Sequence, residues 1–309
     1  MKIVIALGGN AILQRGQPLD EAIQKNNIRI AAEAIAQVAR QHQVILTHGN
    51  GPQVGLLALQ NDAYKAVSPY SLDVLGAETE GMIGYLFEQA LKNILPQRQV
   101  VTLLTQTVVD PNDAAFDVPS KFIGAIYDKK QADKLKQEKG WQMKLDGEYY
   151  RRVVPSPMPQ ALVELPVINH LLKDHNIIPI CVGGGGIPVM RKDDVLIGVE
   201  AVVDKDRASN ILAQGIHADA LIMLTDIDAV QLNYAQTNAK KIKSASPEAI
   251  QAYKFADGSM APKVETACHF VKAGGDFAAI GNLADAANIV AGEKGTRISL
   301  KTDNINFYE

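Results

Sequence analysis

The sequence predicts an α/β protein with a mainly parallel central sheet and a small inserted lid subdomain. Three observations carry that expectation. Short apolar runs alternate with helix-period patterns along most of the 309 residues, as in βαβ units joined by right-handed crossovers. The chain is 47% apolar but only 6% aromatic, a mix that suits buried parallel strands covered by helices. The alternation breaks once, between Asp110 and Pro166, over a stretch too long for an ordinary loop.

Taken in order, Ile3–Leu7 reads as a buried strand ending in Gly8-Gly9-Asn10. A helix follows over Asn26–Gln41, with Ile28, Ala31, Ile35 and Val38 on one face. Val44–Thr47 is the next strand and runs into His48-Gly49-Asn50-Gly51-Pro52. Helices are expected over Val54–Ala66 and Val74–Leu95, then a strand over Val100–Thr105. The irregular stretch carries Pro111, Pro119, Pro155, Pro157, Pro159 and Pro166, the only Trp, and a solvated helix over Asp128–Lys139. Regular alternation resumes with a strand over Ile177–Val182, which ends in Gly183-Gly184-Gly185-Gly186. A hairpin is expected around Arg191–Asp194, a helix over Asp206–Gln214 and a strand over Ala220–Leu224 ending in Thr225-Asp226. Helix Lys263–Ala273, strand Phe277–Ile280, helix Leu283–Ala291 and a last strand Thr296–Leu300 complete the series. The length suits one large domain or two lobes sharing a sheet. The expected division is an acceptor lobe over 1–210, with the insertion at about 112–165, and a nucleotide lobe over 211–309.

The formal charge is -3, from 31 basic and 34 acidic residues. That balance gives no general reason to expect nucleic acid or an anionic membrane as partner. An anionic substrate must then be drawn in by a local cluster of cations. Cys181 lies in an apolar run and Cys268 in a helical pattern, so both read as small buried residues rather than a disulfide. No cysteine spacing suggests zinc. No apolar run nears the roughly 20 residues a membrane span requires, and no signal peptide is expected. The cytoplasm is the default location.

In open parallel sheets, ligands bind beyond the carboxyl ends of the strands. That rule selects Gly8-Gly9-Asn10, His48–Pro52, Gly183–Gly186 and Thr225–Asp228. Three of these four turns are rich in glycine, which lets backbone amides approach an oxyanion closely. Successive amides and the dipole of a following helix bind anions without a formal charge. A single Gly pair at a strand end more often makes only a tight turn; three such turns together favour an anion site. No Gly-x4-Gly-Lys-Ser/Thr, complete Gly-x-Gly-x-x-Gly, Gly-x-Ser-x-Gly or His-Glu-x-x-His pattern is present, which sets aside the ordinary P-loop, dinucleotide, serine-hydrolase and zinc-protease readings. His48 lies in a promising turn, yet a lone histidine is more often structural.

Phosphoryl transfer asks for cations on the moving oxygens, in-line geometry and a divalent metal on the nucleotide. Two charges about 4 Å apart at an effective dielectric near 20 interact by roughly 4 kcal/mol, so a few placed lysines supply useful barrier reduction. Lys205-Asp206 follows the apolar run Val199–Val203 and precedes a helix. Lys263 opens a helix, and Lys121 lies in Pro119-Ser120-Lys121 of the insertion. Taken singly, each is more often a solvated surface lysine. Asp206 could accept from two ammonium groups at once or serve merely as an N-cap.

At this point the chain resembles the carbamate kinase family of the amino acid kinase superfamily, from about Ile3 to Ile298. The matching runs are Ala6–Ala11, His48–Gly55, Leu104-Thr105-Gln106, Val109-Asp110-Pro111, Arg152–Pro157, Gly183–Pro188, Gly198–Asp206, and Gly258-Ser259-Met260 with Pro262-Lys263. The resemblance implies a three-layer αβα sandwich, a homodimer and a place in arginine metabolism. It implies reversible transfer between ATP and carbamate, giving ADP and carbamoyl phosphate, with ATP formation the useful direction in many members. By the same resemblance, Gly8, Gly9, Asn10, Asn50 and Gly51 would bind carbamate and the moving phosphoryl group. Lys121 would reach in from the lid. Lys205 and Lys263 would contact nucleotide phosphates, with Asp206 holding both. Gly183, Gly184, Gly185, Thr225, Asp228, Tyr234 and Met260 would serve the nucleotide, and Mg2+ would ride with it. No metal bound by the protein itself is implied.

Two positions depart from the family pattern. The lid lysine commonly sits in Pro-Thr-Lys-Pro-Ile-Gly-Pro, whereas here it sits in Pro119-Ser120-Lys121-Phe122-Ile123-Gly124-Ala125. Met158 stands where a Lys commonly follows Pro-Ser-Pro. Two other readings remain at this level: a relative that phosphorylates another small acid or a phosphonate, and a sensor that kept the fold without catalysis.

Overall fold

The computed structural model describes residues 1–309 apart from 15, 235 and 257–259, and the side chain of Asn10 is also outside the description. Gly258 and Ser259, singled out from the sequence, therefore lie outside the described residues.

Six neighbouring strands form a parallel core in the order Gln99–Thr102, Ile177–Ile180, Gln43–His48, Lys2–Leu7, Ala220–Thr225 and Phe277–Asn282. Thr296–Ile298 pairs antiparallel with the last of these, and Lys240–Ala245, Gln231–Leu232 and Ile305–Phe307 extend that edge. The strand Lys2–Leu7 shows why the sequence reads as continuous apolar runs. Ile3, Ile5 and Leu7 enter one core with Ile28, Ile35 and Phe87. Val4 and Ala6 enter the other with Leu212, Phe270 and Val271. With helices on both faces, no strand position is left for polar alternation.

Helices Glu21–Ala39 and Leu72–Ile94 cover the first face, and Lys205–Gly215 with Met260–Lys272 cover the second. The result is the three-layer αβα sandwich. The first of these helices starts at Glu21, five residues before the expected Asn26. Asp20 caps the first through the amides of Ala22 and Ile23, an N-cap geometry that satisfies otherwise orphaned donors.

The stretch after Val109 folds into its own small unit. Lys121–Tyr127, Tyr149–Val154 and Met143–Asp146 form a three-stranded antiparallel sheet. Lys129–Lys139 packs beside it, started by a capping box between Asp128 and Gln131 and stopped by Gly140 at φ 65°. Pro159–Leu162 joins Gln106–Val109, Ile187–Lys192 and Val195–Gly198 in a second, four-stranded sheet. The expected hairpin lies there, its turn made by Asp193 and Asp194 at φ 49° and 64°.

Several boundaries differ from expectation. The strand placed over Val100–Thr105 stops at Thr102, because the Thr105 amide donates to the buried Glu80 carboxyl instead of a ladder. The strand placed over Thr296–Leu300 stops at Ile298, and Ile305–Phe307 follows it. Lys263 does not open its helix; Met260 does, which puts Lys263 in the first turn. Both cysteines are free and buried, as read. Among the described residues, no helix is long and apolar enough to cross a membrane.

Candidate active site

The carboxyl ends of the parallel strands gather the glycine turns into one cleft. Its volume is about 360 Å3, within the usual range for small-molecule sites. Gly9, Asn50, Gly51, Lys121, Gly184, Lys205, Asp206 and Lys263 all line it. Gly8 lies just behind, its amide extending the ladder to Leu224 O at 2.9 Å. Thr225, Asp228, Tyr234 and Met260 are not among its lining residues. Thr225 ends its strand with Oγ1 donating to Asp226 at 3.0 Å, Asp228 pairs with Lys241 at 2.8 Å, and Tyr234 is 70% exposed.

Two helices aim their N-termini at this cleft, and they differ in one respect. In Lys205–Gly215 the side chain of Asp204 caps the amides of Asp206 and Arg207 at 3.0 and 3.3 Å. Asp204, not Asp206, is therefore the N-cap. In Gly51–Ala63 the residue at the cap is Asn50, but its side chain makes no cap hydrogen bond. Asn50 Nδ2 instead donates to Thr79 Oγ1 at 2.8 Å. Pro52 has no N–H and the Val54 amide bonds Asn50 O at 2.9 Å, so the amides of Gly51 and Gln53 are those open to a ligand, and the positive end of the dipole faces the same way.

Asp206 is the hub of the cations. It pairs with Lys205, and Lys263 Nζ reaches its Oδ2 at 2.8 Å. Burial opposes ionisation of Asp206, yet the Lys205 and Lys263 ammonium groups outweigh it and hold the carboxyl well below the usual range. Burial also lowers Lys205, with Asp206 pulling the other way. At Lys263 the burial cost is overcome by Asp206, and its pKa is raised. One carboxylate between two ammonium groups leaves a net charge of one, aimed at the cleft by a rigid pair.

Lys121 comes from the lid. It begins the strand Lys121–Tyr127, and its Nζ meets Asp204 Oδ2 at 2.7 Å. That strand docks tightly on helix Gly51–Ala63. A Cβ on Gly55 would stand 2.3 Å from Gly124 Cα, so Gly55 excludes a larger residue, while Gly124 is required by its own φ of 72°. The lid is tied to the body further out by Lys139 to Asp62 and by Arg152 to Glu200 at 3.3 Å. Trp141 lies between the two cations, 4.8 Å from Lys139 and 4.6 Å from Arg152. Strand alternation then puts Arg151 on the cleft side. Its guanidinium donates to Asp146 at 2.9 Å and covers the Phe122 ring.

Sequence reading missed Asp204, Arg151, Thr79 and Glu80. For Asp204 the signal was present, an Asp directly before a helical run. Arg151 showed only as half of an Arg-Arg pair on a strand. Thr79 and Glu80 gave no local signal, since their partners lie 25 and 29 residues away.

His48 does not touch the cleft; its ring stacks on Phe87 with centroids 6.3 Å apart. Burial pushes it from the usual 6.5 down to about 4, against the hydrogen bond to Gly49 O. The unfolded chain then takes up this proton before the folded chain does. Stability from His48 is present above pH 6.5 and is lost as pH falls toward 4, by about 3 kcal/mol in all. Glu80, raised by burial, titrates in the opposite sense. Comparing urea midpoints of wild type and His48→Gln between pH 7 and 4 isolates the histidine. The variant is expected to lose distinctly less stability over that range; parallel curves would refute the assignment.

Comparison with known proteins identifies the family. The amino acid kinase family pattern matches residues 1–282. A carbamate kinase of Rhizobium meliloti is 52% identical, covering 100% of this chain and 96% of that protein. One of Haemophilus influenzae is 50% identical over 100% of both. The structure of carbamate kinase from Giardia lamblia bound to AMP-PNP superposes with a TM-score of 0.88 at 41% identity, over 96% of this chain and 98% of that one. The chain belongs to the amino acid kinase family, and within it to the carbamate kinases.

Proposed function

We propose that the chain catalyses reversible phosphoryl transfer, ATP + carbamate to ADP + carbamoyl phosphate, and that ATP formation is its working direction. The observation that carries this is the single cleft where an uncapped helix N-terminus faces the Lys205–Asp206–Lys263 hub and the lid lysine. Backbone amides suit carbamate, which is small, planar and anionic, and needs no large pocket. In this reading Gly8, Gly9, Asn10, Asn50 and Gly51 hold carbamate and the acceptor side of the phosphoryl group. Lys205 and Lys263 neutralise nucleotide phosphate oxygens, and Lys121 follows the moving group from the lid. Gly184, beside Asn50, borders the transfer point. Gly183 and Gly185 shape its turn, while Thr225, Asp228, Tyr234 and Met260 flank the nucleoside. Mg2+ enters as part of the nucleotide substrate. With charges fixed beforehand, the protein pays little reorganisation as negative charge shifts between the two oxygens.

The acceptor lobe of this reading is 1–210 with its lid, and 211–309 serves the nucleotide. A homodimer follows from the same kinship, and Val74, Met82 and Tyr85 form an exposed stripe on Leu72–Ile94 that a second copy would cover. The cytoplasm and arginine metabolism complete the proposal.

A panel of acceptors with coupled ADP detection tests it. Carbamate is expected to turn over at least 100-fold faster than N-acetylated amino acids or phosphonates, about 2.7 kcal/mol in the transition state. Comparable turnover of an amino acid substrate with none on carbamate would reassign the enzyme.

A further inference from the structure

Helix Leu72–Ile94 carries two adjacent polar residues on its buried face, Thr79 at 0% exposure and Glu80 at 1%. Buried polar groups cost stability unless bonded; Thr79 accepts from Asn50 at the cleft, and Glu80 accepts from the Thr105 amide beside it. Thr79 Oγ1 donates its hydrogen to Gly76 O at 2.8 Å. Only an acceptor lone pair remains for Asn50, so the Asn50 amide must turn its NH2 end toward Thr79. That end lies at 2.8 Å. The carbonyl end of Asn50 is then the end left for substrate.

The far side of Asn50 is closed as well. Gly184 sits at φ 66°, and a Cβ there would stand 2.1 Å from Asn50 Nδ2. The turn that carries Gly184 is itself pinned. Thr105 Oγ1 accepts from the Val182 amide at 3.0 Å, and the Thr105 amide donates to Glu80 at 2.9 Å. Thr107 Oγ1 donates to Gly185 O at 2.8 Å. Asn50 therefore has little room to rotate or flip.

Resting on the function proposed above, we infer that Thr79 is a positioning residue that sets acceptor specificity through Asn50. It fixes the amide so that a carbonyl oxygen faces the acceptor. That oxygen rewards a substrate N–H, which carbamoyl phosphate has and acetyl phosphate, its near-isostere with a methyl group, lacks. A site built to accept a hydrogen bond rejects the analogue that cannot donate it.

The test is ATP formation from ADP with carbamoyl phosphate and, separately, acetyl phosphate, in wild type, Thr79→Val and Thr79→Ser. Valine keeps the shape and removes the lone pair; serine keeps the lone pair. In Thr79→Val the ratio of kcat/KM for carbamoyl over acetyl phosphate is expected to fall about tenfold, or about 1.4 kcal/mol. Thr79→Ser should hold the ratio within threefold, and KM for ADP should not move in either. Thr79→Ala serves the same purpose if valine disturbs packing. An unchanged ratio with an active wild type overturns the inference alone, as does an equal loss on both phosphates. Wild type that forms no ATP from carbamoyl phosphate overturns the function and the inference together.

Discussion

Lys263→Met is expected to cut turnover about 1000-fold while the fold survives. The size follows from one ammonium group removed from developing charge about 4 Å away, roughly 4 kcal/mol at an effective dielectric near 20. Packing is largely spared because methionine replaces the stem and only the charged tip is lost. Asp206 keeps Lys205 as partner, so no carboxylate is stranded in the interior. Lys205→Met should behave alike in turnover, since its ammonium shares the same carboxylate. The decisive pattern is a loss in kcat larger than any loss in nucleotide affinity, as for a contact strongest in the transition state. Near-wild-type kcat in either variant would remove both lysines from the proposed roles.

Lys121→Met should lower kcat about 100-fold, about 2.7 kcal/mol, with a small fall in melting temperature because Asp204 loses its ion-pair partner. Its side chain is 35% exposed and its partner Asp204 stands on the body, so its loss frees the lid contact without opening the core. Burial works against ionisation of Asp204, but Lys121 outweighs it and holds the carboxyl below its usual range. Asp204 thus both caps a helix and receives the lid lysine, and a phosphoryl oxygen must compete for that lysine. Asp204→Asn separates the two duties. Asparagine caps nearly as well, so stability should shift little while the lid contact weakens. If Lys121→Met retained full kcat, the lid would be a cover without chemical duty.

Much of this was legible in the sequence, for identifiable reasons. A parallel strand buried on both faces must be apolar throughout, so Ile3–Leu7 and Ala220–Leu224 announced themselves. The anion turns were legible because glycine is needed where backbone crowds a ligand or another chain segment, as at Gly184. The convergence of Lys205 and Lys263 on Asp206 was open to inference because two of the three are adjacent in sequence. What stayed hidden depends on distant contacts. Strands near the end of the sheet such as Lys240–Ala245 carry too many charges to show a β pattern. The lid strands are half exposed and only partly alternate. Thr79 reads as one more polar residue in a helix until Asn50 is seen beside it. The Asp204–Lys121 pair joins residues 83 apart.

The most direct measurement is a structure of the chain with ADP, Mg2+ and a planar fluoride analogue of the moving phosphoryl group. The account predicts the analogue within hydrogen-bond reach of Lys121 and Lys263, with the uncapped amides of helix Gly51–Ala63 on its acceptor side. An analogue bound away from Gly51, with Lys263 turned from it, would contradict the account.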